Sequence, residues 1–160
     1  MEHRVFDALA ASQEGSIPLS APAPFSSGPL FDRLGLPSLL VVESDEEAGE
    51  LLQQFLSREY DVMIVRRHNR VAELLRHHRF DMVLMEVNAE SEQEALALLQ
   101  QLRAYPLGAA TPVIASLDGV NVEVERRVAL AGFDAYIKRT FTVNRLCAVL
   151  GRVRRKQALV

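Results

Sequence analysis

The stretch Leu39-Leu40-Val41-Val42-Glu43-Ser44-Asp45 decides how the whole chain is read. Its four consecutive apolar residues suit a strand buried on both faces, and a short polar run ends it. Directly afterwards Ala48, Leu51, Leu52, Phe55 and Leu56 recur at the spacing of one helical stripe. A buried strand passing at once into an amphipathic helix is one unit of a parallel sheet with helical crossovers.

The same unit recurs along the chain. Further apolar runs begin at Asp61 (Val62 to Val65), Asp81 (Met82 to Met85), Pro112 (Val113 to Leu117) and Asp134 (Ala135 to Ile137). Helical stripes lie between and after them: Val71, Leu74 and Leu75; Ala95, Leu98, Leu99 and Leu102; Leu146, Val149, Leu150 and Val153. Ser44 with Glu47 and Ser91 with Glu94 have capping-box spacing, and Thr142 stands where an N-cap is needed. Val122-Glu123-Val124-Glu125 alternates like a strand, yet the regular alternation around it predicts a helix from about Asn121 to Ala131, stopped by Gly132. Five such units predict an α/β domain with a doubly wound parallel sheet and helices on both faces.

Outward from this core the composition changes. Residues 13 to 37 hold five of the seven prolines, three glycines and four serines, the composition of an extended linker. Two apolar islands flank or interrupt it: Val5-Phe6 with Ala8-Leu9, and Leu30-Phe31 with Leu34. Either suits a partner-binding peptide or a strap over the domain. The expected division is a tail over 1–36, a domain over 37–156 and a short C-terminal tail over 157–160.

Composition excludes several classes. The 160 residues carry 18 basic and 21 acidic side chains, a net charge of −3, which does not suggest a dedicated nucleic-acid binder. A hydrophobic content of 49% excludes wholesale disorder. The single cysteine, Cys147, excludes an intrachain disulfide framework and a thiolate-cluster metal site. No apolar run is long enough to span a membrane, and the N-terminus lacks the pattern of a secretory signal, so a cytoplasmic protein is expected.

In an open parallel sheet, functional groups collect at the carboxyl ends of the strands. Here those ends read Glu43-Ser44-Asp45, Glu86-Val87-Asn88, Ser116-Leu117-Asp118 and Lys138-Arg139-Thr140. With Phe80-Asp81-Met82-Val83-Leu84-Met85-Glu86, Thr111-Pro112-Val113-Ile114 and Gly132-Phe133-Asp134-Ala135-Tyr136-Ile137-Lys138-Arg139-Thr140-Phe141, the chain resembles response-regulator receiver domains over about residues 37 to 156. The resemblance implies a flavodoxin-like five-stranded sheet of order 2-1-3-4-5, and a place in bacterial two-component signalling.

It also implies a site, from which this chain departs. The aspartate that accepts a phosphoryl group at the end of the third strand is here Glu86. The paired aspartates that hold Mg²⁺ correspond to Glu43 and Ser44, with Asp45 one place beyond. The Thr or Ser ending the fourth strand is Leu117, the lysine ending the fifth is Arg139, and the proline after it is Thr140. Only the aromatic switch position matches, as Tyr136. Mg²⁺ is usually anchored by one or two carboxylates in near-ideal octahedral geometry. Ser44 removes a charge from that set, Glu86 is one methylene longer, and Leu117 donates no hydrogen bond. A degenerate receiver, or pseudo-receiver, is therefore expected: non-enzymatic, without a cofactor, with Glu86 and Arg139 paired where phosphoryl group and lysine would meet.

Such a module would regulate by protein–protein contact. The resemblance places docking, with another signalling protein or in a homodimer, on the face of the fourth helix, fifth strand and fifth helix, here Arg126, Arg127, Tyr136, Asn144 and Arg145. Two other readings share the scaffold: a phosphorylatable regulator with an altered acidic site, and a small-molecule sensor using the strand-end cleft. Direct DNA binding is disfavoured by the expectation that no second domain of about 50 or more residues follows.

The remaining signals have plain readings. Arg66, Arg67, His68, Arg70, Arg76, His77, His78 and Arg79 read as a solvated basic face without interleaved aromatics. Adjacent His77 and His78 point apart and do not chelate together. Cys147 reads as a packed thiol. Isolated Gly108, Gly119 and Gly132 read as turn residues, leaving no Gly-rich phosphate loop.

Overall fold

In the computed structural model, residues 35–106, 108–139 and 141–159 are described. Five parallel strands, β1 (Ser38–Val42), β2 (Asp61–Val65), β3 (Met82–Asn88), β4 (Val113–Asp118) and β5 (Ala135–Lys138), form one sheet of order β2-β1-β3-β4-β5. Five helices connect and follow them: α1 (Glu46–Leu56), α2 (His68–His77), α3 (Glu92–Ala104), α4 (Val122–Leu130) and α5 (Val143–Ala158). This is the flavodoxin-like arrangement expected from the repeated units. The tail expected over 1–36 lies almost wholly outside the described residues, and α5 runs past 156 to Ala158.

Strand pleating divides the core in two. Leu40, Val42, Val83, Met85, Val87, Val113, Ala115 and Leu117 point to one face, where α2, α3 and α4 add Val71, Leu75, Leu99, Leu102 and Val128. Leu39, Val41, Val62, Ile64, Met82, Leu84, Ile114 and Ile137 point to the other, against Leu56 of α1 and Leu146, Val149 and Leu150 of α5. Each continuous apolar run thus feeds two cores, as a parallel sheet covered on both sides requires. At the edge strand β5, Ile137 is buried but Tyr136 is 42% exposed.

The helix ends correct two expectations. α1 is capped by Asp45, whose carboxylate accepts from the Ala48 N–H at 3.2 Å, because Ser44 turns its hydroxyl to Glu86 instead. Ser91 is the N-cap of α3 without a side-chain cap bond. Asn88 Oδ1 accepts from the Glu90 and Ser91 N–H groups at 2.9 Å, and Ser91 Oγ accepts from the Asn88 N–H at 3.0 Å, closing that turn on itself. The stripe on α1 is also only partly buried: Leu56 is covered, whereas Leu51 and Phe55 are 48% and 42% exposed. At α4 the expectation holds, with Asn121 as cap at 3.0 Å and Gly132 at φ 104° after the helix. Thr142 caps α5 at 3.2 Å.

Candidate functional site

Parity along the strands determines which side chains meet at the carboxyl edge. Glu43 follows Val42 and continues the face of Leu39 and Val41; Glu86 continues that of Met82 and Leu84. Ser116, the register partner of Glu86, lies on the same face by alternation, as does Arg139 after Ile137. Glu43 and Glu86 are both buried, and Arg139 lies between them and solvent with its side chain 18% exposed.

Every carboxylate oxygen of the two glutamates has an internal partner. Glu43 Oε1 accepts from the Asp45 N–H at 3.1 Å, and Glu43 Oε2 accepts from Arg139 Nη2. Glu86 Oε2 accepts from both the N–H and the hydroxyl of Ser44, at 2.9 and 2.7 Å. Glu86 Oε1 accepts from Asn88 Nδ2 at 2.9 Å. Beneath it, His68 Nε2 lies 3.2 Å from the Glu86 backbone oxygen.

Arg139 is held to the sheet by its N–H, which donates to Leu117 O at 2.7 Å. Its Nη1 is buried without a hydrogen-bond partner, 4.0 Å from Glu86 Oε1 and 3.9 Å from Asp118 Oδ2. The expected Glu86–Arg139 pair is present as an ion pair at 4.0 Å without a hydrogen bond. The guanidinium's hydrogen bond goes to Glu43, while Ser44 and Asn88 supply the donors on Glu86. Burial pushes the Glu43 carboxyl up from 4.5 to about 7, the neighbouring Glu86 charge adding to the rise and Arg139 opposing it.

The remaining positions fall elsewhere. Asp45 is spent on the α1 cap. Leu117 is buried in the core of the opposite face with Val87, away from the carboxylates. Thr140 lies outside the described residues. Tyr136, Arg126, Asn144 and Arg145 are exposed on β5, α4 and α5. Arg127, also exposed, bonds Glu92 of α3 at 2.5 and 2.9 Å. Lys138 reaches Glu125 at 3.3 Å, tying β5 to α4.

Asn88 and His68 were not singled out from the sequence as partners of Glu86. The signal for Asn88 was present, since a residue two places along a strand shares the face of Glu86. Nothing local announces His68. The solvated-face reading of the basic stretch is corrected at His68 and His78, whose side chains are buried against the domain, whereas the split of His77 from His78 and the packed Cys147 thiol fit their surroundings. His77 is exposed and His78 buried, and burial pushes the Cys147 thiol up.

This donor set does not fit a divalent cation. The oxygens that would face one are filled by N–H and O–H donors, and a guanidinium already sits over Glu43. Among the described residues no group of three or more His, Cys, Asp or Glu side chains is arranged to hold a metal ion. No described helix is long and apolar enough to cross a membrane.

No family model and no curated protein sequence matches the chain. Solved structures do. The chain is similar to the receiver domain of a sensor histidine kinase from Pseudomonas aeruginosa, with 21% identity over 74% of this chain and 98% of that one and a TM-score of 0.65; that domain holds a magnesium ion in its active-site cleft. It is similar to a CheY-like receiver domain protein from Methanospirillum hungatei, with 22% identity, 77% and 97% coverage and a TM-score of 0.67. A histidine-kinase receiver domain from Syntrophus aciditrophicus gives 22% identity, 75% and 91% coverage and a TM-score of 0.67. The fold is that of response-regulator receiver domains.

Proposed function

We propose that this chain is a pseudo-receiver: a two-component signalling module that works through protein–protein contact, without aspartyl phosphate, without Mg²⁺ and without catalysing a reaction. The observation that carries this reading is the Arg139 guanidinium lodged over Glu43 in the carboxylate cleft. Phosphoryl transfer needs an accessible acceptor, and cations placed to neutralise developing charge. Here the residue at the acceptor position is a glutamate whose two oxygens take three hydrogen bonds from Ser44 and Asn88. The cleft's fixed cation belongs to the protein and is anchored on β5.

The working face in this reading is α4, β5 and α5, with Tyr136, Arg126, Asn144 and Arg145 exposed on it. Apolar-plus-arginine surfaces suit docking by another signalling protein or a second copy. Arg127 belongs to the same set: it pairs with Glu92 while its side chain stays 52% exposed. Tyr136→Asp should then abolish binding to a partner, or self-association, while leaving the melting temperature unchanged.

Amide NMR of labelled protein, titrated with Mg²⁺ and then beryllofluoride, tests the reading. Silence at Ser44, Asp45, Glu86 and Arg139 is the expected result. Saturable shifts spreading from Glu86 to Tyr136 would overturn it in favour of a surviving phosphorylation switch.

A further inference from the structure

α2 and α3 pack on the same face of the sheet, and between them they leave a groove of about 860 Å³, a size usual for small-molecule sites. The helical period builds its walls. His68, Ala72 and Arg76 recur along α2, and Glu94, Ala97, Leu98 and Gln101 along α3. Each wall carries an alanine, and buried Leu98 backs them.

A polar bridge crosses the groove at either end. Towards the carboxyl edge of the sheet, Glu94 Oε2 lies 3.7 Å from His68 Nδ1. At the far end Arg76 Nη2 donates to the Tyr105 hydroxyl at 3.3 Å, and the guanidinium stands 5.6 Å from the centre of that ring. Between the bridges the two alanines leave space that longer side chains would fill.

Charge is unevenly spread along this space. Glu86, Glu90 and Glu94 line it at the carboxyl edge, with Arg67 and an Arg66 that is paired with Glu46. The Tyr105 end is lined by Arg76 and by no acid. Glu73, one turn back on α2, acts on Arg76 only at longer range. Tyr105 engages one nitrogen of the exposed guanidinium, so its other N–H groups suit a planar anion with two oxygens.

We propose that this groove binds a small aromatic carboxylate, its ring on Ala72, Ala97 and Leu98 and its carboxylate on the Arg76 guanidinium. Tyr105 is a positioning residue that holds the guanidinium ready, which lowers the cost of ordering it. Glu90 and Glu94 set the ligand's direction by repelling its anionic end. The proposal does not rest on the pseudo-receiver reading, because Ala72, Arg76, Ala97 and Tyr105 take no part in the bonds of the carboxylate cleft.

Amide NMR of the full-length labelled chain tests this, with benzoate, phenylacetate and indoleacetate as probes and with benzyl alcohol and acetate as their neutral and ring-free counterparts. At least one aromatic acid should give saturable, millimolar shifts at Ala72, Ala97, Gln101 and Tyr105, and the two counterparts much weaker ones. Arg76→Gln should weaken binding about tenfold through loss of a charge-assisted contact. Ala97→Leu, at an exposed position, should fill the groove and abolish binding with the melting temperature unchanged. Silence with all three acids would overturn the proposal. Shifts that survive either substitution would place the ligand elsewhere and overturn it too. An equal response to benzyl alcohol would remove the carboxylate from the argument, and an equal response to acetate the ring; either result sinks the proposal.

Discussion

Arg139 at the end of β5 reaches across β4 and β3 to bond Glu43 at the end of β1. A single guanidinium thus ties the carboxyl edge of the sheet together from its last strand to its second-ranked one, over the top of Glu86. The bond also puts one positive charge against two buried carboxylates, Glu43 and Glu86, and this imbalance governs how the cleft responds to mutation and to pH.

Removing Arg139 should be costly in a pH-dependent way. Arg139→Ala leaves Glu43 and Glu86 facing each other without a counter-charge, and breaking a buried pair from one side costs roughly 3–5 kcal/mol. That full loss is expected at pH 8. At pH 5 protonation of Glu43 relieves the repulsion, and the loss should shrink. Urea unfolding of parent and variant at the two pH values measures the difference.

Glu43 itself should tilt the parent's stability curve. Its carboxyl rises from 4.5 to about 7 in the folded state, chiefly through burial. Between those values the folded chain holds the proton more tightly than the unfolded chain does. Its contribution is therefore fully present below about pH 4.5, falls as pH rises towards 7, and is flat above. Glu43→Gln should remove this decline, on the order of 1–3 kcal/mol, from the urea midpoint measured between pH 5 and 8. A decline of the same size in the variant would assign it to other groups.

Much of this architecture could be read from the chain because continuous apolar runs and helical stripes are local, repeated signals. Four-residue runs such as Leu39 to Val42 report burial on both faces wherever they occur, and Asn121 and Gly132 bracket α4 despite its strand-like alternation. The partnership inside the cleft could not be read the same way. Whether Arg139 hydrogen-bonds Glu86 or Glu43 depends on Ser44 and Asn88 having claimed Glu86 first, a competition among residues from three strand ends. The cap of α1 follows the same logic: Ser44 fits the capping-box spacing, but its hydroxyl is worth more against a buried carboxylate. Leu51 and Phe55 carry the helical period faithfully, and period alone does not say what covers them.

At the opposite edge of the sheet, acidic residues that open the strands are fasteners. Asp134 Oδ2 accepts from the Val113 N–H at 2.7 Å and from Arg103 Nη2 at 2.9 Å, while the Asp134 N–H donates to Val113 O at 2.8 Å. Asp134→Ala strips a charged acceptor from that backbone group. The expected loss is about 1.5–3 kcal/mol in urea unfolding, with no change in the NMR signals of Glu86 or Tyr136. Movement of those signals would mean that the two edges are coupled.

Restoring the cleft's chemistry should restore what the guanidinium displaces. In Ser44→Asp/Glu86→Asp/Arg139→Lys, a shorter acid replaces Glu86, a second carboxylate replaces the Ser44 donor, and a single-point cation replaces the fork that bonds Glu43. Each change frees oxygen ligands now occupied by internal N–H or O–H groups, the condition a hard cation such as Mg²⁺ requires. The triple variant is expected to show saturable Mg²⁺-dependent amide shifts at positions 43 to 45 and 86 where the parent shows none. Arg139→Lys alone should show none either, because Ser44 still holds Glu86 through two hydrogen bonds. Binding by the single variant would place the whole obstacle in the arginine, whereas no binding by the triple variant would place it in the backbone of the cleft.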